Sequence, residues 1–397
     1  MVDTDLLIVG AGLAGLPIAL ACSQAGWRVA VVDKNATPLS CPTDPLDQRC
    51  TAIGCASESL LRAWGIWNVV ADDAVPIQQV HVSQRGYLGT VRLVAEELGV
   101  GALGHVIENR RWVAALSDSI ERGERAANIT LHRGESVMSV DAESEQHIEV
   151  GLTSGKSITT RLLIGADGVN SRVRDLVAVG DEHVDYEQCA VMSTVELSQP
   201  HNGQAFERFT SDGPLAFLPR HGQLMSLVWC MAPDDANSMK QADSQSVIEQ
   251  LQSVFGYRLG RIKALGPKAV VPLIRREAVH QTGTRTVLLG NAVRLLHPVA
   301  GQGFNLALRD LACLLDTIGR RSGDNACDPG AAPLLEQFVT HRRRDQYRVV
   351  TLTDVLAKTF RGEARLPAHA RGLALMGLDS IGPARHAFAR QTMGFTG

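Results

Sequence analysis

The stretch DLLIVGAGLAGLPIALACSQAGWRVAVVD, residues Asp5–Asp33, decides the fold. Its apolar start, DLLIVG, predicts a strand, the segment closing near Gly26 predicts a helix, and RVAVVD predicts a second strand. A GxGxxG pattern lies at the turn between the first strand and the helix. A strand–turn–helix–strand unit with these glycines predicts a nucleotide site, whereas isolated glycines would carry little weight.

Each residue of this pattern has a separate physical role. Gly10 allows the tight turn, Gly12 lets a pyrophosphate approach the backbone, and Gly15 lets the helix pack closely on the strand. Asp33 ends the second strand, where a carboxylate binds the ribose hydroxyls. An acid at this position favours an unphosphorylated ribose, and hence FAD or NAD rather than NADP.

A second glycine-rich turn occurs late in the chain, within GNAVRLLHPVAGQGFNLALRD (Gly290–Asp310). The strand RTVLLG (Arg285–Gly290) precedes it, and Gly301-Gln302-Gly303 opens a helix whose N–H groups favour negative charge. By itself the turn is equally compatible with tight packing and with a ligand site. The upstream nucleotide motif favours the ligand site.

A third motif is RLLIGADGVNSRVRD (Arg161–Asp175), in which an apolar strand ends in Gly165-Ala166-Asp167-Gly168 and Asn170-Ser171-Arg172 caps a following helix. An Asp-Gly turn before a capped helix is common in proteins of every function. The alternative is an acidic loop that binds a pyrophosphate indirectly or orders a second cofactor.

Composition narrows the class of protein. A chain of 397 residues with 45% hydrophobic and 20% charged residues predicts two or three globular domains with a sizeable core. The net charge of -3 lacks the basic footprint of a nucleic-acid-binding protein. No apolar run has the roughly 18–20 residues needed to span a bilayer, and we see no export signal. The eight cysteines form no CxxC pair and the histidines show no ligand spacing, so we expect no metal.

The remaining chain alternates between strands and helices. Residues 47–67 predict a loop that carries Arg49 and then a helix, and Asn128–Val150 predicts an antiparallel meander. Residues 187–271 predict an inserted β-rich unit with one helix near Ser244–Phe255. In AFERF, alternation places Ala205, Glu207 and Phe209 on one face, without saying which face meets a ligand. The basic run His341–Arg348 predicts a solvated helix face.

Taken together, the three motifs resemble those of the aromatic-ring hydroxylases, single-component flavoprotein monooxygenases of the para-hydroxybenzoate hydroxylase fold. Within this family the chain is similar to the ubiquinone-biosynthesis hydroxylases. The similarity to 2-polyprenyl-6-methoxyphenol hydroxylases lies in GQAFERFTSDGPLAFLP (Gly203–Pro219), LHPVAGQGFNLALRD (Leu296–Asp310) and TDVLAKTF (Thr353–Phe360).

The resemblance implies an α/β fold with a Rossmann-like FAD-binding domain, an inserted β-rich substrate domain and a helical C-terminal region. The implied segments are FAD-binding at 1–75, 107–180 and 276–330, substrate domain at 76–106 and 181–275, and C-terminal helices at 331–397. The implied FAD-binding residues are Gly10, Gly12, Gly15, Asp33, Arg49, Arg110, Asp167, Gly290, Asn291, Pro298, Gly301, Gln302, Gly303, Phe304 and Asn305.

Two segments of the implied site are Gly290-Asn291, which departs from the family pattern, and His297-Pro298, which contains the catalytic candidates. The family usually has Gly-Asp where this chain has Gly290-Asn291; an amide still accepts a hydrogen bond, and we interpret the change as a subgroup trait. Pro298 and His297 lie beside the implied flavin position and are the catalytic candidates. For His297, a structural, packed side chain is the alternative and the better-supported reading.

The resemblance implies hydride reduction of FAD by NAD(P)H, reaction with O2 to a flavin C4a-hydroperoxide, and hydroxylation of a polyprenylated phenol. Two alternatives remain: a same-fold flavoenzyme acting on another substrate, such as a prenyl reductase or small-aromatic hydroxylase, and a flavin-binding scaffold subunit. A membrane-borne substrate implies a cytoplasmic protein that contacts the inner membrane peripherally or receives substrate within a ubiquinone-biosynthesis complex. The basic run and LALMGL (373–378) mark the region for such contact.

Overall fold

The computed structural model describes residues 2–37, 46, 49–87, 89–123, 128–297, 301–321 and 327–359. Its helices are α1 (Gly15–Gln24), α2 (Cys55–Ala63), α3 (Trp67–Val70), α4 (Asn109–Glu121), α5 (Arg172–Leu176), α6 (Pro233–Gln241), α7 (Ser244–Phe255), α8 (Gln302–Ile318) and α9 (Ala332–Thr359). Its strands are β1 (Thr4–Val9), β2 (Val29–Asp33), β3 (Cys50–Gly54), β4 (Val75–Ile77), β5 (Gln79–Gln84), β6 (Thr90–Val94), β7 (Gly104–Glu108), β8 (Ile129–Arg133), β9 (Val137–Asp141), β10 (Ile148–Leu152), β11 (Ser157–Gly165), β12 (Asp181–Leu197), β13 (Gln204–Phe209), β14 (Pro214–Pro219), β15 (Leu224–Met231), β16 (Ile262–Leu265), β17 (Ala269–Ala278), β18 (Thr282–Gly283), β19 (Thr286–Leu288) and β20 (Arg294–Leu295).

The first sheet is the Rossmann-like part of the fold. Its strand order is β18-β19-β11-β1-β2-β8, and β1 pairs in parallel with both β2 and β11. Every residue of β1 is buried, as expected for a strand covered on both faces. The predicted βαβ unit, β1–α1–β2, is therefore confirmed.

The predicted meander is wrong at its first strand. β8 pairs in parallel with β2 and extends the main sheet, whereas β9, β10 and β11 pair in antiparallel fashion. Alternating apolar residues predict a strand but not the direction of its partner, because the direction depends on residues distant in sequence.

A three-stranded sheet has the strand order β3-β7-β4. We expected the loop carrying Arg49 to lead directly into a helix, but β3 intervenes before α2. The strand forms because its backbone pairs with β7, from Cys50↔Glu108 to Gly54↔Gly104, and this partner is remote in sequence.

The second large sheet has the order β20-β17-β12-β15-β14-β13-β5-β6, with β16 also on β12. The predicted β-rich unit and helix α7 are confirmed, but α6 was not predicted. A separate apolar core that includes Trp229, Phe217 and Phe255 packs these helices against the sheet. The residue boundaries that we expect for the domains remain a prediction.

Helices α8 and α9 pack against each other through buried ion pairs. Arg342 donates to the Asp310 carboxylate at 2.6 Å and to Asp345 at 2.6 Å, and Arg309 donates to Asp345 at 3.0 Å. The expectation of a fully solvated basic face is therefore wrong at Arg342, which is buried against α8. LALMGL lies outside the described residues. Among the helices that the structure describes, none combines the length and apolarity needed to cross a bilayer.

Candidate active site

A cavity of about 830 Å³ runs from the turn after β1, past the start of α8, to one face of the second large sheet. We call this sheet, which contains β5, β6 and β12–β17, the large mixed sheet. Cavities of this size hold cofactors and drug-sized ligands. Three sequence motifs distant from one another in the chain contribute to its wall: Gly12, Asp167 and Gly303 all line it. We call it the central cavity.

Of the three glycines in the first motif, Gly10 and Gly15 pack against neighbouring backbone, and Gly12 faces the cavity. A Cβ on Gly10 would lie 2.6 Å from the Ala166 carbonyl oxygen, and one on Gly15 would lie 1.7 Å from the Gly10 carbonyl oxygen. Gly10 also has a φ of +105°, which favours glycine. At Gly12 a Cβ would meet nothing within 4 Å. The backbone at Gly12 is therefore open to a ligand.

Asp33 lies at the end of β2, on the wall of the central cavity. Its Oδ2 accepts a hydrogen bond from the Ala11 N–H at 2.6 Å, and its Oδ1 accepts one from the Asn35 N–H at 2.8 Å. The carboxylate thereby links the glycine turn to the end of β2. This fixed acid beside the turn suits the recognition of ribose hydroxyls.

Asp167 orders the loop that leads into α5. Its carboxylate accepts hydrogen bonds from the Ser171 hydroxyl at 2.5 Å, the Arg172 N–H at 2.7 Å and the Val173 N–H at 3.2 Å. The Ser171 hydroxyl in turn accepts from the Arg174 N–H, as the predicted cap does. Asp167 therefore holds the shape of the loop, so that the backbone of Gly168 lines the cavity.

The start of α8 is fixed by the side chain of Asn305. Its Oδ1 accepts from the Gly54 N–H at 2.8 Å, and its Nδ2 donates to the carbonyl oxygens of Ala52 at 3.1 Å and Gly301 at 2.9 Å. Gly301 has a left-handed φ of +57°, and a Cβ on Gly303 would meet nothing within 4 Å. The helix therefore presents open backbone and its positive end to the cavity.

Aromatic packing supports the same turn of α8. Phe304 lines the cavity and packs edge-to-face on Trp112, with ring centroids 5.5 Å apart. The Trp112 indole N–H donates to the Leu13 carbonyl oxygen at 3.1 Å. The two glycine turns are thus connected through α4.

The wall of the central cavity suits FAD. Open backbone at Gly12 suits a pyrophosphate, the acid at Asp33 suits a ribose, and open backbone at Gly303 on a helix N-terminus suits a flat ring that carries negative charge. Asn291 is exposed on this wall, and its amide can accept a hydrogen bond from a ligand hydroxyl.

Most of the predicted site residues come together at this cavity. Those that line it are Gly10, Gly12, Asp33, Asp167, Gly290, Asn291, His297, Gly301, Gln302, Gly303, Phe304 and Asn305. Gly15 lies behind the wall, against Gly10. Arg49 and Arg110 are not among the lining residues; they lie near each other, where the Asn109 N–H donates to the Arg49 carbonyl oxygen. Pro298 falls outside the described residues. The roles of all these residues remain proposals.

His297 is 1% exposed, and what surface it has lies on the cavity wall. Its ring packs edge-to-face on Tyr186, with centroids 5.1 Å apart. Burial lowers the pKa of the imidazole to about 4, which keeps it neutral at physiological pH. This environment supports the packed, structural interpretation.

The large mixed sheet supplies the other half of the wall, in the segments where a substrate domain was expected, but the sequence did not identify which residues line it. Its lining is almost wholly apolar: Val80, Val82, Leu93, Met192, Ala205, Phe206, Phe209, Pro214, Ala216, Leu218 and Val228; Ile77 of β4, in the three-stranded sheet, adds to the same apolar wall. Two ionisable side chains of the sheet, Glu207 and Cys230, also line it. Alternation along β13 places Glu207 with Ala205 and Phe209, and the fold decides that this face meets the cavity, although Phe206 of the other face also contributes to the lining.

Known proteins resemble this chain over nearly its full length. The FAD binding domain family matches residues 3–352. The chain is 32% identical to the ubiquinone hydroxylase UbiL of Rhodospirillum rubrum, over 98% of this chain and 89% of that protein. It is 30% identical to the 3-demethoxyubiquinol 3-hydroxylase of Escherichia coli, over 98% of each.

Solved structures agree on the fold. HpxO of Klebsiella pneumoniae, solved with FAD and uric acid, superposes with a TM-score of 0.77 at 16% identity, over 98% of this chain and 96% of that one. The fold is that of the para-hydroxybenzoate hydroxylases, as expected. The family match and the two relatives together show that the chain belongs to the FAD-dependent monooxygenases of the FAD binding domain family, in the group that includes the ubiquinone hydroxylases.

Proposed function

We propose that this protein hydroxylates the ring of a polyprenylated methoxyphenol in ubiquinone biosynthesis, using FAD, NAD(P)H and O2. One observation carries the proposal: the two glycine turns and the apolar sheet face line a single cavity. A cofactor held at the turns would share that cavity with an aromatic substrate lying on the sheet. The named relatives support the ubiquinone-type substrate.

The chain's own groups have distinct parts in this reaction. Gly12 and the N-terminus of α1 would bind the pyrophosphate, Asp33 the ribose, and the backbone of Gly301–Asn305 the flavin ring. FAD, when bound, supplies the redox chemistry that activates O2. The apolar sheet face orients the phenol ring and excludes water from the reacting atoms.

We also propose that the C-terminal region contacts the membrane from which such a substrate comes. In support, α9 exposes Tyr347 at 71% and Val355 at 51%, beside the basic residues Arg343, Arg344 and Arg348. Exposed apolar side chains next to basic ones suit an anionic bilayer surface. In vesicle flotation, binding to anionic vesicles should exceed binding to neutral ones and fall in the double variant Tyr347→Ser, Val355→Ser.

Turnover with a short-chain 2-prenyl-6-methoxyphenol tests the main proposal. We expect phenol-dependent NAD(P)H oxidation and O2 consumption that yield a product with one additional hydroxyl group. Complementation of ubiquinone-deficient cells, with identification of the intermediate that they accumulate, tests the substrate in the cell.

Other outcomes distinguish the alternatives. Anaerobic reduction of the prenyl alkene would indicate a reductase, and turnover of only small phenols without a prenyl chain would indicate a small-aromatic hydroxylase. Tight FAD binding without phenol-stimulated NAD(P)H oxidation would indicate a scaffold subunit. Each of these results contradicts the proposed function.

A further inference from the structure

Glu207 is a carboxyl group on the otherwise apolar sheet face of the central cavity. It lies in the middle of β13, opposite Ala216 of β14 and Val82 of β5. Ala216 in turn lies opposite Val228 of β15. Glu207, Ala216, Val82 and Val228 all line the central cavity. The side chain is half-buried and lines the cavity.

No charge compensates this carboxyl group within the part of the chain that the structure describes. Glu207 accepts no side-chain hydrogen bond and forms no ion pair there. From β5, β14 and β15 the nearest wall residues are apolar, apart from the thiol of Cys230. The cations Arg208 and Arg258 and the ring of His81 interact with one another. None of them contributes to the ionisation of Glu207.

Desolvation accordingly raises the pKa of Glu207 to about 7. Burying a carboxyl group without a partner is unfavourable, and such groups concentrate where a ligand completes their environment. A carboxyl whose pKa lies near the working pH is also suited to accept and return a proton.

The sheet position fits contact with the substrate rather than with the nucleotide. β14 packs on β4, and β4 pairs with β7, which pairs with β3. β3 is bound to α8 through Asn305. Glu207 therefore lines the cavity from β13 of the large sheet, whereas Gly301–Asn305 line it from the start of α8.

We propose that Glu207 is the catalytic base that takes the hydroxyl proton of the phenolic substrate. This inference rests on the proposed function. The phenol O–H bond breaks, a bond forms between the proton and a Glu207 carboxylate oxygen, and the electron pair stays on the phenol oxygen. The resulting phenolate has a more electron-rich ring. After hydroxylation, the ring carbon that gained the hydroxyl loses its C–H proton to solvent, and the electron pair of that bond restores the aromatic ring. Glu207 returns its proton to the original phenol oxygen, so the carboxylate is regenerated.

Glu207→Gln tests the proposal, because it keeps the shape and removes the base. With the short-chain 2-prenyl-6-methoxyphenol we expect the hydroxylation rate at pH 8 to fall about 10²–10⁴-fold, the range for loss of an acid–base group. The wild-type rate should rise with pH through about 7. In the variant this rise near pH 7 should be absent, and the rate should rise only as the phenol itself ionises, near pH 10.

Binding provides a readout independent of turnover. In the oxidised, FAD-loaded protein, the affinity for the same phenol should increase as pH rises through about 7, because the ionised Glu207 accepts the phenol hydrogen bond. In Glu207→Gln this pH dependence should be absent. In Glu207→Asp the hydroxylation rate should still rise with pH, because a carboxylate is present. The rate itself should be lower than in the wild-type protein, since the side chain is shorter by one methylene group.

Glu196→Gln is the matched control, because Glu196 is a half-buried carboxylate on β12 of the same sheet that does not line the cavity. It should leave the rate and the pH profile unchanged. Glu207→Gln with a wild-type rate and pH profile would overturn the role of Glu207 while leaving the proposed function intact. Absence of phenol hydroxylation in the wild-type protein would instead contradict the proposed function.

Discussion

Asn305, in the first turn of α8, accepts a hydrogen bond at 2.8 Å from the backbone N–H of Gly54, at the end of β3. The two residues are 251 positions apart. Through this contact, and through its donations to Ala52 and Gly301, one amide side chain joins the glycine turn of α8 to the three-stranded sheet. The position of the proposed flavin turn therefore depends on Asn305.

Asn305→Asp should weaken this junction, because a carboxylate cannot donate to the Ala52 and Gly301 carbonyl oxygens. We expect a loss of about 1–3 kcal/mol in the free energy of unfolding and weaker FAD binding. Denaturant titration and FAD dissociation measure the two effects. Asn237→Asp, on the exposed face of α6, is the control and should change neither. Unaltered FAD affinity in Asn305→Asp would contradict the assigned role.

Gly303 offers a test that separates folding from cofactor binding. Its Cβ position is open, and it lies within α8, so Gly303→Ala should raise the stability of the flavin-free protein by up to about 1 kcal/mol. The same methyl group projects toward the proposed flavin, so FAD binding should weaken, and Gly303→Val should abolish it. Absorbance of the purified protein and thermal unfolding report the two effects.

Variants at two other glycines serve as controls for the Gly303 variants. Gly15→Ala should prevent normal folding, because its Cβ would lie 1.7 Å from the Gly10 carbonyl oxygen. Gly101→Ala, at an exposed position with nothing within 4 Å, should affect neither property. A yellow, active Gly303→Val protein would contradict the flavin contact.

The ion pair between Arg220 and Glu108 should matter more than a surface pair, since both side chains are buried. Arg220 also donates to the Thr194 hydroxyl at 2.7 Å. Removing one partner leaves a buried charge, so Glu108→Gln and Arg220→Met should each cost about 3–5 kcal/mol. The double variant should lose less than the sum of the two.

A double-mutant cycle by denaturant unfolding measures this coupling. The pair Arg62–Glu58 is the control, because the Arg62 side chain is 55% exposed, and Arg62→Met should cost at most about 1 kcal/mol. Equal losses for the buried and the exposed pair would show that burial does not determine the contribution.

His297 should stay neutral down to about pH 5, because burial lowers its pKa to about 4. The unfolded chain binds the proton more readily, so this residue destabilises the fold as pH falls from about 6.5 toward 4. The ¹⁵N chemical shifts of the His297 ring should show the neutral form between pH 5 and 8. A protonation midpoint near 6.5 would contradict this prediction.

Glu207 should have the opposite effect on the flavin-free protein. Its folded pKa of about 7 lies above the ordinary value of 4.5, so its contribution to stability is complete below pH 4.5 and is lost as pH rises through 7. Glu207→Gln should therefore raise the free energy of unfolding at pH 8, by at most about 3 kcal/mol, and have little effect at pH 4.5. Unfolding curves at the two pH values measure this difference. A Glu207→Gln protein less stable than wild type at pH 8 would show that the carboxylate has a stabilising partner.

Local pattern was sufficient for the parts of the site that depend on adjacent residues. The roles of Gly10, Gly12 and Gly15 can be predicted because the turn, the helix and the strands around them lie within one βαβ unit. The start of α8 at Gly301-Gln302-Gly303 is recognisable for the same reason. The inserted β-rich unit was predicted from its alternating strands and turns.

Strand partners were less predictable. The local pattern predicts a loop at β3 and part of a meander at β8, because each strand is defined by a partner elsewhere in the chain. Arg342 was placed on a solvated face, yet its ion pair with Asp310 requires the packing of α9 on α8.

The sequence by itself determined the nucleotide-binding unit, the glycine turn of α8 and the family, because these are written in contiguous motifs. Only the tertiary structure decided that the face of β13 carrying Glu207 forms one cavity wall with those motifs. The physical reason is that alternation fixes which side chains share a face of a strand, whereas the packing of one sheet against another fixes what that face contacts. The pKa of Glu207 follows from this packing, because desolvation depends on every element around the carboxyl group.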